Sequence, residues 1–406
     1  MHTQPVLRKF FRESLPEIHQ ARSLALIAAV DAVACGARVT ITGMGRSLVT
    51  AGTRIKHRVK RMDRLIGNHL LGAQRKTFYR AIIVRLLTAC PQPIILIDWS
   101  DFSADRQQQL LRASLALGSR AITLYEELHP YRKLGNRKVQ HRFLNQLRAM
   151  LPAHCTPIII ADAGFRVPFY RYVETLGWHW LARIRNRDYV QWRGAPADWI
   201  SAKSLHGIAA IRAQDLGGAL WVRNHPLAGR LVLIRQNRRG RKHRSLAGTA
   251  RRSRLSRKHA AGAREPWLLI ASHSLCDLSA RQLVRLYKTR MQIEEGFRDT
   301  KSVAYGLGIA NGQHTSFMRA ANLLLIAALA SFLLWVIGCL AEARDWRRLV
   351  SVNSSSKSPT YSPIFLARLL VQFTRNRLPL SCLQEAARIA RQYTQSVLSD
   401  EPLLWG

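Results

Sequence analysis

A chain of 406 residues with 63 Lys and Arg against 24 Asp and Glu carries a formal net charge of +39 and is too long for a peptide or a lone small module. That charge exceeds what solubility requires and calls for a polyanionic partner, nucleic acid being the first class to consider, while 48% hydrophobic residues leave ample material for a core. The six cysteines, at 35, 90, 155, 276, 339 and 382, never form a C-x-x-C pair, which argues against a zinc site or a disulfide framework and fits a reducing cytosol. The first thirteen residues hold no apolar core of signal-peptide length, so no export signal is expected.

Residues 1–92 read as helical. Residues 21–33 are apolar at helical spacing, 36–45 form a Gly-punctuated turn region, and 46–71 follow as a further helix. Within it Arg54, Lys56, Arg58, Lys60, Arg61 and Arg64 put six positive charges in eleven residues, interrupted by Val59, Met62 and Leu65. An amphipathic basic helix behind a short turn predicts a helix-turn-helix-like DNA-binding unit. A merely solvated charged face has the same pattern.

From residue 93 the chain changes to short apolar runs bounded by turn residues. Residues 93–97 end on Asp98, 110–117 and 121–128 are joined by Gly118-Ser119, and 157–161 end on Asp162. Runs this short and apolar suit strands buried on both faces. Helical patterns at 139–151 and 168–176 lie between them, so the reading is a mixed α/β sheet. Residues from about 186 to 265 break that rhythm with alternating stretches at 209–214, 219–222 and 230–235. A run at 235–258 then holds eleven Lys or Arg among 24 residues and no acid, which predicts a loop ordered only on meeting phosphate. Residues 265–272 return to strand character and 279–301 read as one long helix. The charge-free stretch 323–341 is long enough for a membrane helix, but it is single, rich in small residues and flanked by basic chain on both sides. A centrally buried helix and no membrane are expected. A Ser-rich linker at 351–358 and a helical tail from 363 to about 398 close the chain.

Two carboxylates stand out because an Asp is a poor strand residue. Asp98 and Asp162 at the ends of neighbouring central strands could share cations, and oxygen ligands suit Mg²⁺ or Mn²⁺. Capping of the following turn is the alternative. On the helix at 279–301, Tyr287, Arg290, Glu294 and Lys301 fall within a stripe of about 60°, with apolar Leu283, Leu286, Ile293 and Phe297 on its flank. A carboxylate ringed by a phenol, a guanidinium and an ammonium suits a metal held next to a phosphodiester. An ordinary surface helix with an Arg290–Glu294 pair fits the same spacing. Glu295 points about 100° away and is the weaker ligand candidate.

The spacing Tyr287-x2-Arg290-x3-Glu294-x6-Lys301 resembles the YREK signature of bacterial insertion-sequence transposases of the DDE class. IILIDWSDF around Asp98, IIIADAGF around Asp162 and YKTRMQIEEGFRDTKS around Glu294 are similar to segments of the transposon-Ten transposase group, as are TRIKHRVKRMDRLIGN and the YGLG at Tyr305. The resemblance implies an α/β fold with a ribonuclease-H-like mixed-sheet core and a β-rich insertion, flanked by helical N- and C-terminal regions. The implied domains are a helical DNA-binding domain at 1–92, a catalytic domain at 93–345 with its insertion at about 186–265, and a helical region at 346–406 expected to dimerise. It implies two Mg²⁺ ions, with Mn²⁺ as substitute, on Asp98, Asp162 and Glu294. It further implies cut-and-paste transposition through a DNA hairpin, in which Trp267 stacks on an extruded base while Tyr287, Arg290 and Lys301 hold phosphates. Double-stranded DNA at transposon ends and target, a homodimer on that DNA and a cytoplasmic, nucleoid-associated bacterial location are the expected context. A non-catalytic basic DNA-binding protein and a nuclease that cuts without joining are the alternatives.

Overall fold

The computed structural model describes residues 3–48, 52–118, 120–185, 188–192, 198–236, 253–254, 265–304, 306–309, 316–350, 361–374 and 378–398. Most of the basic run at 235–258, the Ser-rich linker at 351–358 and Tyr305 lie outside these. The chain divides into two compact units, one of residues 1–157, 291–396 and 401–406, the other of 158–290 and 397–400.

The first unit opens with five helices, α1 (Gln4–Ser14), α2 (Gln20–Ala34), α3 (Ile41–Ser47), α4 (Ile55–Ile66) and α5 (His69–Leu87). Where one helix was expected at 46–71, caps cut the chain. Thr40 accepts from the Gly43 amide and starts α3 inside the expected turn, and Asn68 accepts from the Leu71 amide and starts α5 directly after Gly67 closes α4. Three antiparallel strands follow, β1 (Ile94–Asp101), β2 (Gln108–Leu117) and β3 (Arg120–Pro130), then α6 (Arg137–Met150).

Asp98 does not end its strand. β2 is long enough to pair with β1 as far as Asp101, so Asp98 sits inside β1, opposite Arg112. The C-terminal helices of this unit are α9 (Met291–Lys301), α10 (Phe317–Ala343), α11 (Pro363–Phe373) and α12 (Cys382–Leu398), whose last two residues fall in the other unit. The charge-free stretch lies inside α10. Its apolar window is wholly buried, packed by α2, α4, α5, α11 and β3, so it is the core helix of this unit. One buried polar residue in it, Asn322, is satisfied by donating to the Ile66 carbonyl and accepting from Arg75.

The second unit holds β4 (Ile158–Ala161), α7 (Val167–Thr175), β5 (His179–Ile184), β6 (Tyr189–Trp192), β7 (Ile200–Ser201), β8 (Gln214–Trp221), β9 (Leu227–Ile234), β10 (Trp267–Ala271) and α8 (Ala280–Lys288). Its strands are ordered β4-β5-β10-β9-β8-β6-β7. β4 and β5 are parallel, as a crossover through α7 requires, and the neighbours from β5 to β7 are antiparallel. Strands β6 to β9 are the β-rich insertion. Residues 209–214 contribute no strand, because a 3-10 turn at Ser204–Ile208 leads into them and β8 begins only at Gln214. The fold is a mixed α/β one with a ribonuclease-H-like core and helical extensions at both ends.

The expected single helix at 279–301 is two. α8 stops at Lys288, where the Thr289 hydroxyl donates to the Leu286 carbonyl at 2.7 Å and the Thr289 and Arg290 amides turn back to residues 286 and 287 in i to i+3 bonds. α9 restarts at Met291, at the seam between the two units. The single-helix stripe is therefore not observed: Tyr287 and Arg290 belong to the second unit, Glu294 and Lys301 to the first.

Candidate functional site

On the basic N-terminal segment, α4 buries Met62, Leu65 and Ile66 and leaves Lys56, Lys60 and Arg64 exposed at successive i, i+4 positions, with Arg54 exposed at the N-cap. Arg58 instead ties down the preceding loop, donating to the Thr53 and Leu48 carbonyls at 2.9 and 2.7 Å, and Arg61 is half-buried. The α3–α4 approach is close at Gly45, where a Cβ would stand 2.6 Å from the Val59 Cα.

In the first unit, Asp98 on β1, Arg112 on β2 and Glu126 on β3 are cross-strand partners and therefore share a sheet face. α9 packs on these three strands. Near its start, Gln292 accepts from the Leu117 amide, and Leu117 lies close to the strand position opposite Ile95, the beginning of β1. At its end, Lys301 donates to Ser100 Oγ at 2.6 Å and to the Asp101 carbonyl. α9 thus runs alongside β1 in the same direction. The seven residues from Glu294 to Lys301 span about 10 Å of helix, or about three residues of strand, which sets Glu294 level with Asp98. Glu294 is exposed and Asp98 half-buried. Glu295 faces elsewhere, pairing with Arg298 at 2.8 Å and standing 3.9 Å from Arg120. Burial and the Arg112 charge push the Lys301 ammonium down to about 8, against the opposing pull of Asp101, Asp98 and Glu126.

In the second unit Asp162 follows β4 directly, accepting from the Gly164 amide at 2.8 Å, so the capping bond is present. Gly164 is required there, since a Cβ would lie 2.9 Å from Asp162 Oδ1. Burial pushes the Tyr287 phenol up to about 12, opposed by Arg290, Arg183 and Arg185, with Asp162 adding to the rise. Trp267 meets Tyr287 edge to face at a centroid separation of 5.2 Å, and the Arg183 guanidinium lies 5.7 Å from the Trp267 ring centroid. Unlike Leu268, Leu269 and Ile270 beside it, Trp267 is only half-buried. Arg183 Nε is buried without a hydrogen-bond partner among the described residues. Arg183 and Arg185 were not selected from the sequence, although their alternation around Ile184 on a strand is the signal that marks them.

The structure thus brings Asp98, Glu294 and Lys301 together in one unit, and Asp162, Trp267, Tyr287, Arg183 and Arg290 in the other. The carboxylates are hard oxygen donors, the kind that Mg²⁺ or Mn²⁺ takes. Among the described residues, no group of three or more His, Cys, Asp or Glu is gathered to hold a metal ion. What the structure supplies is a carboxylate pair in one unit and a third carboxylate in the other.

The family model described as the transposase DDE domain matches residues 89–333, more than half of the chain, and encloses Asp98, Asp162 and Glu294. No curated protein matches the chain.

Proposed function

Because the chain belongs to the transposase DDE domain family, we propose that it is a cut-and-paste DNA transposase, similar in its YREK spacing to the transposon-Ten group. The observation that carries this reading is the family match across a core in which Asp98 and Glu294 share one face beside a partly desolvated lysine.

Asp98, Asp162 and Glu294 would hold two divalent ions, which supply activation of a water or 3′-hydroxyl and stabilisation of the leaving oxygen in displacement at phosphorus. Around them Lys301, Arg290 and Tyr287 hold phosphates of the distorted end, and Arg183 adds a buried guanidinium to the same task. Trp267, half-buried and braced by Tyr287 and Arg183, stacks on a base extruded as the end bends into a hairpin. Arg54, Lys56, Lys60 and Arg64 contact the backbone of the terminal repeat, with Arg58 and Arg61 supporting that helix. Two copies bridge the two ends through residues 346–406.

A second reading rests on the absence of a three-carboxylate group among the described residues: a basic DNA-binding protein without catalysis. One experiment separates the readings. The protein is incubated with labelled DNA flanking its own coding region and a target plasmid, with Mg²⁺ or with chelator. Mg²⁺-dependent cleavage and joining are expected, lost in each of Asp98→Ala, Asp162→Ala and Glu294→Ala while end binding persists. Normal cleavage by any one of these variants overturns the assignment. Cleavage without joining leaves a nuclease.

A further inference from the structure

Arg112 is an arginine in the middle of an apolar strand, and its side chain is almost completely buried, at 2% exposure, against Glu126 at 1%. A buried charge persists only when it is paired and hydrogen-bonded. Here Nε and Nη2 both reach Glu126 Oε2 at 2.7 Å, Nη1 donates to Thr300 Oγ1 at 3.2 Å, and the Phe297 ring lies 4.8 Å from the guanidinium. Glu126 is held on its other side by the Tyr79 hydroxyl at 3.2 Å. Two of these contacts, Thr300 and Phe297, lie on α9, the helix that carries Glu294.

The same guanidinium is the direct cross-strand partner of Asp98. Such partners have Cβ atoms about 5 Å apart, well within reach of an arginine. The row across the sheet is therefore an acid, a base and an acid, and the central base has two carboxylates to choose from.

We propose that Glu126 is a positioning residue for the carboxylate pair: it holds Arg112 against α9 and away from Asp98, so that the Asp98 oxygens remain available to a divalent cation. This rests on the transposase reading and assigns to it two residues that the acidic signature does not contain. With Glu126 neutral, the guanidinium turns to the remaining acid and competes with the cation for it, and α9 loses its tie through Thr300.

The test is binding of Mn²⁺ to the full chain without DNA, followed by calorimetry, beside the Mg²⁺ concentration that half-saturates cleavage. Glu126→Gln should raise both midpoints by about tenfold, the scale found when a supporting group behind a metal ligand is removed, and excess Mg²⁺ should restore cleavage. A buried residue with a merely structural role would lower the melting temperature and the amount of active protein without moving either midpoint. The Arg112→Met/Glu126→Leu double variant removes the competing cation together with its counter-charge, and should bind Mn²⁺ at or below the wild-type midpoint. It also carries the test should Glu126→Gln alone not fold. A folded Glu126→Gln with wild-type midpoints, or a double variant with a raised one, overturns the proposal and leaves the transposase reading standing. A wild-type chain that takes up no divalent cation overturns both.

Discussion

Lys301 shows how one side chain reports on the carboxylate face. Its ammonium is buried between Phe297, whose ring centroid is 5.1 Å away, and the end of β1, and is pushed down to about 8 from the ordinary lysine value. Below pH 8 the group is charged in the folded and the unfolded chain alike, and its burial subtracts from stability. Above pH 8 the folded chain has released a proton that the unfolded chain still holds up to its own, higher pKa, so the contribution of this group to stability rises with pH. Lys301→Met removes that rise. Urea denaturation at pH 7 and pH 9.5 should therefore show wild type gaining on the variant as the pH increases. A difference that is the same at both pH values would mean that Lys301 does not titrate in this window.

At the scale of elements, the approach of α3 to α4 depends on Gly45. A Cβ there would lie 2.6 Å from the Val59 Cα and 2.9 Å from its nitrogen, both backbone atoms, so no rotamer change relieves the clash. Gly45→Ala should destabilise the protein by about 1–3 kcal/mol in chemical denaturation, the usual cost of overpacking, and Val59→Ala should not rescue it. Rescue would place the obstacle in the side chain instead. The same scale shows which features were legible. Strands β1 to β4 were readable because Ile, Leu and Val in runs bounded by Gly or Pro have few other homes. The α8–α9 break was not, because 280–301 contains no Pro and its single Gly lies elsewhere, and a threonine hydroxyl turning back on its own helix leaves no mark in the apolar pattern. Asp98 and Asp162 were legible as misplaced acids. Arg112 and Glu126 were equally misplaced, and they passed unnoticed because their meaning is a cross-strand pairing that only the register supplies.

Over the whole molecule, the charge of +39 is carried by 63 cations, of which few are placed to read anything. Phosphate contacts of this kind act through counterion release, so affinity falls with salt according to the number of phosphates neutralised. The stripe of Lys56, Lys60 and Arg64 on α4 is exposed and backed by the buried Met62, Leu65 and Ile66. That helix is in turn anchored from the core helix α10 by the Arg319–Asp63 ion pair and by Asn322 on the Ile66 carbonyl. Removing two of these lysines should thus leave the fold intact while two phosphate contacts disappear. We expect Lys56→Ala/Lys60→Ala to reduce the slope of log K against log salt by about 2 for transposon-end DNA, with an unchanged melting temperature. Glu294→Gln, on the carboxylate face, should leave that slope as it is. An unaltered slope in the double lysine variant would show that α4 presents its charges to water alone and that the terminal repeat is held elsewhere.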